Sequence, residues 1–185
     1  CDDDCFTVRE IRNLLEPFRT EDDGFDVSDF SCGEDLIEFY KNGGCFDIVF
    51  IDIEMGGING VEAAEIIREF APETIIIFVS SHSSYIFDAF RIEALHFLVK
   101  PIKEKEFGEV FTRAMKKYTA TNASVILKWE SVRNKISINK ISYVEGYRRH
   151  LTVHTASGVY EAVGKISEIY EILKPHGFVR VHQGF

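Results

Sequence analysis

Acidic, hydroxyl and ammonium side chains follow the apolar runs of this 185-residue chain in a regular order. Functional residues of alternating α/β proteins lie outside the carboxyl ends of parallel strands, so we expect these side chains to meet in one crevice. Converging carboxylates repel one another unless a cation holds them together, and ligand sets made only of oxygen favour Mg²⁺ over zinc. The residues at these strand ends are Asp2, Asp3, Asp52, Ser80, Lys100 and Pro101.

The lysine and the serine predict a phosphoryl group in this crevice. The ammonium of Lys100 and the hydroxyl of Ser80 would bind the oxygens of a phosphoryl group on Asp52, which makes an aspartyl-phosphate site. The peptide bond before Pro101 is a candidate for the cis form, which would hold the lysine in place. A phosphohydrolase with the same intermediate is a rival interpretation, but such enzymes usually carry a second Asp two residues after the nucleophile, where this chain has Glu54.

Alternating strand and helix patterns must position these residues. Ser31 and Glu34 form a predicted capping box at the start of the helix that ends near Asn42. Short loops between the elements favour a doubly wound parallel sheet, the fold of an α/β domain. Strands are predicted at residues 25–30, 46–51, 74–79 and 94–99. The helices that follow are predicted at residues 61–70, 84–90 and 103–118.

Charge separates the chain into two parts. Residues 1–118 carry 12 basic against 25 acidic residues, a net charge of −13, whereas residues 119–185 carry 9 against 5, a net charge of +4. This asymmetry indicates two modules with different partners, the second partner a polyanion. The hydrophobic content of 45% excludes a disordered chain, and no run approaches the roughly 18 to 20 apolar residues of a membrane helix. Four cysteines without a CxxC pair fit free thiols in a reducing cytosol.

The basic part has the pattern of an antiparallel β domain. Short apolar runs with turn residues between them predict strands, and residues 165–174 predict one amphipathic helix that Pro175 and Gly177 end. A further strand is predicted to begin at residues 178–182. No glycine-rich phosphate loop, no metal-ligand spacing and no nucleophile–base pair is identifiable in this part. The other strands are predicted at 125–129, 135–138, 141–144, 151–154 and 159–163.

Four segments of the acidic part carry a resemblance, in the order CDDD, FDIVFIDIEMGGINGVEAA, IIIFVSS and FLVKPI. They resemble the receiver domain of bacterial response regulators, over nearly all of residues 1–118. The resemblance implies a flavodoxin-like fold in which Asp52 accepts a phosphoryl group from a sensor histidine kinase. It also implies that Asp3 and Asp52, with Asp2 through water and the backbone carbonyl of Glu54, hold Mg²⁺. The first strand of such a domain is not in the chain, which is therefore expected to be clipped at its N-terminus.

The same resemblance implies a conformational switch. Ser80 and Phe97 match the hydroxyl and aromatic positions that rearrange on phosphorylation. The face formed by the last two predicted helices and the strand between them changes with these residues and promotes homodimerisation. Glu54 and His82 match variable positions that tune how long the phosphoryl group survives, whereas Gly56 stands where proline is usual, which leaves the rigidity of its loop open. Beyond slow autodephosphorylation, no enzymatic activity is expected.

Three later segments carry a second resemblance: INKISYVEGYRRHLTVHT, SGVYEAVGKISEIYEIL and GFVRVHQGF. They resemble the LytTR DNA-binding domain of transcription regulators, which implies a mostly β fold over residues 125–185 that contacts DNA through loops. Residues 119–124 would be the linker, and the C-terminal part of the domain is expected to be missing. Two adjacent arginines are also compatible with a solvated basic turn. The candidates for base or phosphate contact are Arg148, Arg149, His182 and Gln183.

Together these patterns predict a cytoplasmic, DNA-binding transcriptional response regulator that is switched by Mg²⁺-dependent phosphorylation of Asp52. The expected partners are a histidine kinase, promoter DNA and a second copy of the chain, with no membrane contact. The alternative is a phosphorylation-dependent switch whose β domain contacts protein rather than DNA. Salt dependence separates the two, because binding to nucleic acid phosphates weakens steeply as ionic strength rises.

Overall fold

The computed structural model of the chain describes residues 1–19, 25–129 and 132–181, except the side chain of Ser83. The chain divides into two compact units, Cys1–Met115 and Lys116–Phe185. No helix in the described ranges is both long and apolar enough to cross a membrane.

A parallel three-stranded sheet forms the framework of the first unit. Its middle strand is buried along its whole length, as expected for an unbroken run of apolar residues. Asp52 is paired with Val79, and Ser80 is paired with Val99, so the carboxyl ends of the strands meet at one edge. This arrangement confirms the predicted doubly wound parallel sheet. The strands lie in the order β1 (Ile48–Asp52), β2 (Ile75–Ser80) and β3 (His96–Val99).

Five α-helices accompany this sheet in the described residues. Side-chain caps begin two of them: Asp4 accepts the N–H of Phe6, and Asn59 accepts the N–H of Glu62. The last of the five buries apolar side chains at helical spacing. Its Phe107 stacks on Phe50 of β1, with 5.3 Å between the ring centres. The helices are α1 (Cys5–Leu15), α2 (Gly33–Lys41), α3 (Gly60–Phe70), α4 (Ile86–Arg91) and α5 (Glu104–Asn122).

The strand predicted at residues 25–30 is wrong. This segment has no strand assignment, and in the described part of the chain only Asp2 donates a backbone N–H to it, at the carbonyl of Phe30 (3.0 Å). Cys1 in turn accepts the N–H of Asp52 (2.9 Å). Apolar–polar alternation makes a strand only where a neighbour supplies a ladder, and two residues beside this segment are too few to form one.

The start of α2 also differs from the prediction, because the capping box of Ser31 and Glu34 does not form. The helix begins at Gly33 with Cys32 in the N-cap position, and no side chain caps it. Glu34 instead accepts a hydrogen bond from the backbone N–H of Ile58 (2.9 Å). The helix predicted at residues 84–90 begins two residues late, after a 3₁₀ turn at Ser83–Tyr85.

In its described residues, the second unit contains two antiparallel sheets, the C-terminal end of α5 and one further helix. Five of the six strands predicted in the basic part are present, and the mostly β fold is confirmed. α6 (Ile166–Leu173) buries Ile169 and Leu173 in a core that also contains Leu151 and Val153. The first sheet pairs β4 (Ser124–Trp129) with β5 (Val132–Ser137), and the second contains β6 (Ile141–Tyr147), β7 (His150–Thr155) and β8 (Gly158–Val163).

Two segments of the chain differ in local structure from the sequence patterns. Residues 119–124, predicted as a linker, contain the end of α5 and the beginning of β4, because no glycine or proline between Gly108 and Gly146 ends the helix earlier. The domain boundaries themselves stay predictions. The strand predicted at residues 178–182 is wrong over residues 178–181, where no described strand lies alongside and Val179 and Val181 remain exposed.

Candidate functional site

Lys100 links two buried carboxylates at the edge of the parallel sheet. Its Nζ lies 2.6 Å from Oδ2 of Asp52 and 2.9 Å from Oδ2 of Asp2. The backbone N–H of Lys100 donates to the carbonyl of Ser80 (2.9 Å), which extends the pairing of β2 and β3 to the lysine. The Lys100–Pro101 peptide bond is cis. Neighbouring strand ends therefore bring an ammonium and two carboxylates together.

The three aspartates form a cluster of oxygen ligands. Asp2, Asp3 and Asp52 each place one carboxylate oxygen within 4.8 Å of those of the other two. A backbone N–H orients each carboxylate: Asp4 donates to Oδ1 of Asp2 (2.9 Å), Glu54 to Oδ1 of Asp52 (3.2 Å) and Gly56 to Oδ2 of Asp3 (3.4 Å). The Oδ2 atoms of Asp2 and Asp52 are the oxygens that contact Lys100.

Burial and ion pairing set the charges in this cluster. Burial raises the pKa of Asp2, because an ionised carboxylate loses its hydration there, and the contact with Lys100 opposes this shift only in part. Burial by itself lowers the pKa of Lys100, but its contacts with Asp52 and Asp2 outweigh that effect and raise the pKa above the ordinary value. Lys100 is therefore positively charged at neutral pH.

The donor set fits a divalent cation that prefers oxygen. Oδ2 of Asp2 is buried and accepts no well-directed hydrogen bond in the described part of the chain, where its neighbour is the ammonium of Lys100. A buried carboxylate oxygen is costly unless a cation lies against it, and here one ammonium is shared between two of the three clustered carboxylates. Carboxylate ligands of this kind suit Mg²⁺, and Asp2, Asp3 and Asp52 are the side chains that would hold it. The part played by the carbonyl of Glu54 stays a prediction.

Ser80 and Phe97 lie on neighbouring strands beside this cluster. Ser80 is fully buried, and its Oγ accepts the backbone N–H of His82 (3.2 Å). Phe97 is half-buried and packs against the core that contains Phe78 and Ala89 of α4. The role of the two residues as a switch stays a prediction.

A contact between a histidine and a glutamate joins the loops that follow β1 and β2. Nε2 of His82 lies 3.0 Å from Oε2 of Glu54, and both side chains are about half exposed to solvent. These are the two positions that the sequence assigns to the lifetime of a phosphoryl group. The structure brings them into contact, although their effect on that lifetime stays a prediction.

The turn between β6 and β7 presents two adjacent arginines to solvent. Arg148 adopts a positive φ of 58°, and its guanidinium lies 5.4 Å from the centre of the Tyr147 ring, within the range of a cation–π contact. The carbonyl of Arg149 accepts the N–H of Gly164 (3.0 Å), which fixes this turn to the end of β8. The exposed cations are therefore carried by a well-anchored turn.

Two family models match the chain. The model of the response regulator receiver domain matches residues 1–112. The chain belongs to the response regulator receiver family. The model of the LytTr DNA-binding domain matches residues 132–185, so a LytTR domain follows the receiver domain. This match does not favour the alternative in which the β domain contacts only protein.

Curated relatives combine the same two parts of the chain in one alignment. The transcriptional regulatory protein YpdB of Escherichia coli O6:H1 is 25% identical over 173 residues, which cover 86% of this chain and 70% of YpdB. NatR of Bacillus subtilis is 28% identical over 147 residues, which cover 78% of this chain and 63% of NatR. LytR of Staphylococcus aureus N315 is 27% identical over 155 residues, which cover 76% and 63%. All three are transcriptional regulatory proteins.

Solved structures share the fold of the receiver domain. The response regulatory domain of MrkE from Klebsiella pneumoniae has a TM-score of 0.57 at 23% identity and covers 63% of this chain and 93% of that domain. The response regulator domain of Thermotoga maritima CheB has a TM-score of 0.51 at 23% identity, with 64% and 92% covered. At these identities the likeness shows the fold alone.

Sequence reasoning left His150 of the LytTR domain without a role. His150 follows Arg149 directly, its Nε2 contacts Oε2 of Glu161, and its ring packs edge-on against Trp129 at 4.8 Å. The signal for it is the alternation along β7, which turns His150 away from the buried side chains of the strand. The other two predicted DNA contacts, His182 and Gln183, lie outside the described residues.

Proposed function

We propose that this chain is a transcription regulator whose LytTR domain binds promoter DNA when Asp52 of its receiver domain is phosphorylated. One observation carries the proposal: Lys100 contacts the carboxylates of both Asp52 and Asp2, within a cluster of three carboxylates. An acidic residue that only caps a helix or forms a turn at a strand end would not need a lysine ammonium as its partner. The arrangement suits a nucleophile whose product is an anionic phosphoryl group.

The chemistry at Asp52 is phosphoryl transfer from a phosphohistidine of a sensor kinase. A carboxylate oxygen of Asp52 forms a bond to phosphorus as the phosphorus–nitrogen bond to the histidine breaks, and the released ring nitrogen keeps the electron pair. Mg²⁺, when bound, would neutralise charge on the phosphoryl oxygens. Lys100 is close enough to stabilise the same charge, and the hydroxyl of Ser80 is the nearby group that can turn to donate to a phosphoryl oxygen. No further enzymatic activity is proposed beyond slow hydrolysis of the acyl phosphate.

Dimerisation is the proposed link between the receiver domain and DNA. The side chains of Phe87 and Phe90 on α4 are 87% and 85% exposed, and Val99 at the end of β3 is 42% exposed. Exposed apolar groups of this kind favour association with another surface. A homodimer would place two LytTR domains on adjacent DNA sites, and the raised effective concentration lets a modest affinity per domain suffice. A cytoplasmic location follows from a promoter as the target.

Fluorescence anisotropy of a labelled promoter duplex tests the proposal. The full-length protein in Mg²⁺ should bind more tightly when beryllofluoride, a phosphoryl mimic, is added, and Asp52→Asn should abolish this response without abolishing the basal binding. Beryllofluoride that stabilises the receiver domain against heat while no DNA binds at low salt would contradict the DNA-binding half of the proposal. No response of any kind to beryllofluoride in Mg²⁺ would contradict the phosphoacceptor half.

A further inference from the structure

The loop between β1 and α3, residues 53–59, adjoins the aspartate cluster and is closed on itself. Gly60, the first residue of α3, donates its N–H to the carbonyl of Ile53 (3.0 Å). Glu54, inside the loop, donates to Oδ1 of Asp52 (3.2 Å). The conformation of this loop therefore fixes the distances from Glu54 and its neighbours to the aspartate cluster.

Gly56 connects this loop to the cluster through its backbone. Its N–H donates to Oδ2 of Asp3 at 3.4 Å, a contact that proline at this position could not make because it lacks the N–H. A Cβ on Gly56 would meet no heavy atom within 4 Å, and its φ is not in the left-handed region. The feature of Gly56 that matters here is thus its N–H and not the missing side chain.

Glu34 on α2 holds the other side of the loop. Its Oε1 accepts the N–H of Ile58 (2.9 Å), and this hydrogen bond lowers the pKa of Glu34, so that the side chain is ionised at neutral pH. Gly57 has a φ of +83°, and a Cβ there would overlap Oε1 of Glu34. Gly33, which precedes Glu34, also packs closely against the loop, because a Cβ on Gly33 would lie 2.9 Å from the carbonyl oxygen of Ile58. The first turn of α2 is therefore shaped to this loop.

We infer that Glu34 is a positioning residue for the magnesium site of the receiver domain. Its carboxylate accepts the N–H of Ile58 and lies close to Gly57. This fixes the adjacent Gly56, whose N–H donates to Asp3 and so orients that carboxylate as a ligand. The inference rests on the proposed function, because it assumes that Asp3 binds the cation. It deepens that proposal by assigning part of the cation affinity to a residue on a helix that contributes no ligand. Groups of this kind typically alter metal affinity about 10- to 100-fold when removed.

Calorimetric titration of the full chain with MgCl₂, without any phosphoryl mimic, tests the inference. Glu34→Ala should weaken Mg²⁺ binding about tenfold. Glu34→Gln keeps an oxygen that accepts the Ile58 N–H, and it should bind within about twofold of the wild type. Glu38→Ala is the matched control, since it removes an exposed negative charge from the same helix. It should leave the affinity unchanged.

Gly56 variants test the second step on their own. Gly56→Ala keeps the N–H and has room for its Cβ, so it should bind Mg²⁺ like the wild type. Gly56→Pro removes the donor to Asp3 and should weaken binding. Proline that binds Mg²⁺ as tightly as alanine would overturn the role of this N–H.

Each remaining outcome is decisive. Equal affinity in Glu34→Ala and the wild type overturns the inference, as does a Gln variant as weak as the Ala variant, because charge and not the hydrogen bond would then matter. A wild-type chain that binds no Mg²⁺ at all overturns the proposed cation site itself, which keeps the two failures apart. If Glu34→Ala does not fold, as judged by circular dichroism, the Gln and Gly56 variants still decide the question.

Discussion

Gly60 approaches Asp52 so closely that a Cβ on the glycine would overlap the carbonyl oxygen of the aspartate. The overlapping atom belongs to the backbone, so no side-chain movement can relieve the contact. α3 therefore begins directly against the end of β1, and the absence of a side chain at Gly60 is what permits it. The helix start and the proposed phosphoacceptor share one packing arrangement.

Gly60→Ala should therefore destabilise the receiver domain although alanine is the better helix former. Overpacking of this kind costs about 1–3 kcal/mol, which exceeds the gain of up to about 1 kcal/mol from helix propensity. Urea unfolding followed by far-ultraviolet circular dichroism measures the difference. Gly108→Ala in α5 is the control, because its Cβ would lie at an ordinary 3.7 Å from the ring of Phe18 and should stabilise the helix. Equal effects of the two substitutions would disprove the packing argument.

Asp2→Asn should stabilise the domain in EDTA, and the gain should depend on pH. Burial raises the pKa of Asp2 above its ordinary value of 3.8, so the folded state disfavours the ionised form. The stability contributed by proton binding is fully present below pH 3.8 and is lost as the pH rises through the raised value. The asparagine variant should thus match the wild type in acid and exceed it at neutral pH. Thermal unfolding at several pH values tests this, and a gain that persists unchanged below pH 3.8 would contradict it.

Lys100→Met should destabilise the receiver domain in EDTA, because it leaves the carboxylates of Asp52 and Asp2 facing each other without a counter-charge. Breaking a buried ion pair from one side costs about 3–5 kcal/mol, and partial exposure of Lys100 places this site at about 3 kcal/mol. Mg²⁺ should recover part of the loss by supplying positive charge. Lys103→Met, at an exposed position, serves as the control in the same urea titration. A Lys100 variant as stable as that control would show that the pair contributes nothing.

Arg148→Ala combined with Arg149→Ala should weaken DNA binding and flatten its salt dependence. Each arginine that contacts a phosphate adds about one to the slope of log K against log salt, so the double variant should lose about two. Arg133→Ala, an exposed arginine on β5, provides the comparison. Anisotropy titrations at several salt concentrations measure the slopes. Unchanged slopes with unchanged affinity would show that the two arginines form a solvated basic turn and do not contact DNA.

The strand-end cluster could be predicted from sequence because it depends on short-range patterns. Apolar runs located the strands, and the end of each run located Asp52, Ser80 and Lys100 to within a residue. The strand predicted at residues 25–30 failed because alternation says nothing about whether a partner strand is present. The capping box predicted for Glu34 failed because a distant backbone group binds its carboxylate. The donor is the N–H of Ile58, which lies 24 residues away and not in the first turn of the same helix.

Side-chain partners formed the part of the site that the sequence did not reach. Nothing in the residue order indicates that Glu54 would contact His82, or that His150 on β7 would contact Glu161 on the neighbouring strand β8. Such pairs depend on register and on the twist of the sheet, which bring together residues far apart along the chain. They emerge only when the backbone is placed.

Lys100 contacts two members of a cluster that contains three carboxylates. With all four groups ionised, this edge of the sheet carries two negative charges in excess, the amount that one divalent cation cancels. Repulsion between these carboxylates should therefore destabilise the receiver domain until a divalent cation binds. Cation binding and folding should then be thermodynamically linked. The free concentration of the divalent ion would then set two properties at once, namely the free energy of unfolding of the domain and the readiness of Asp52 to react.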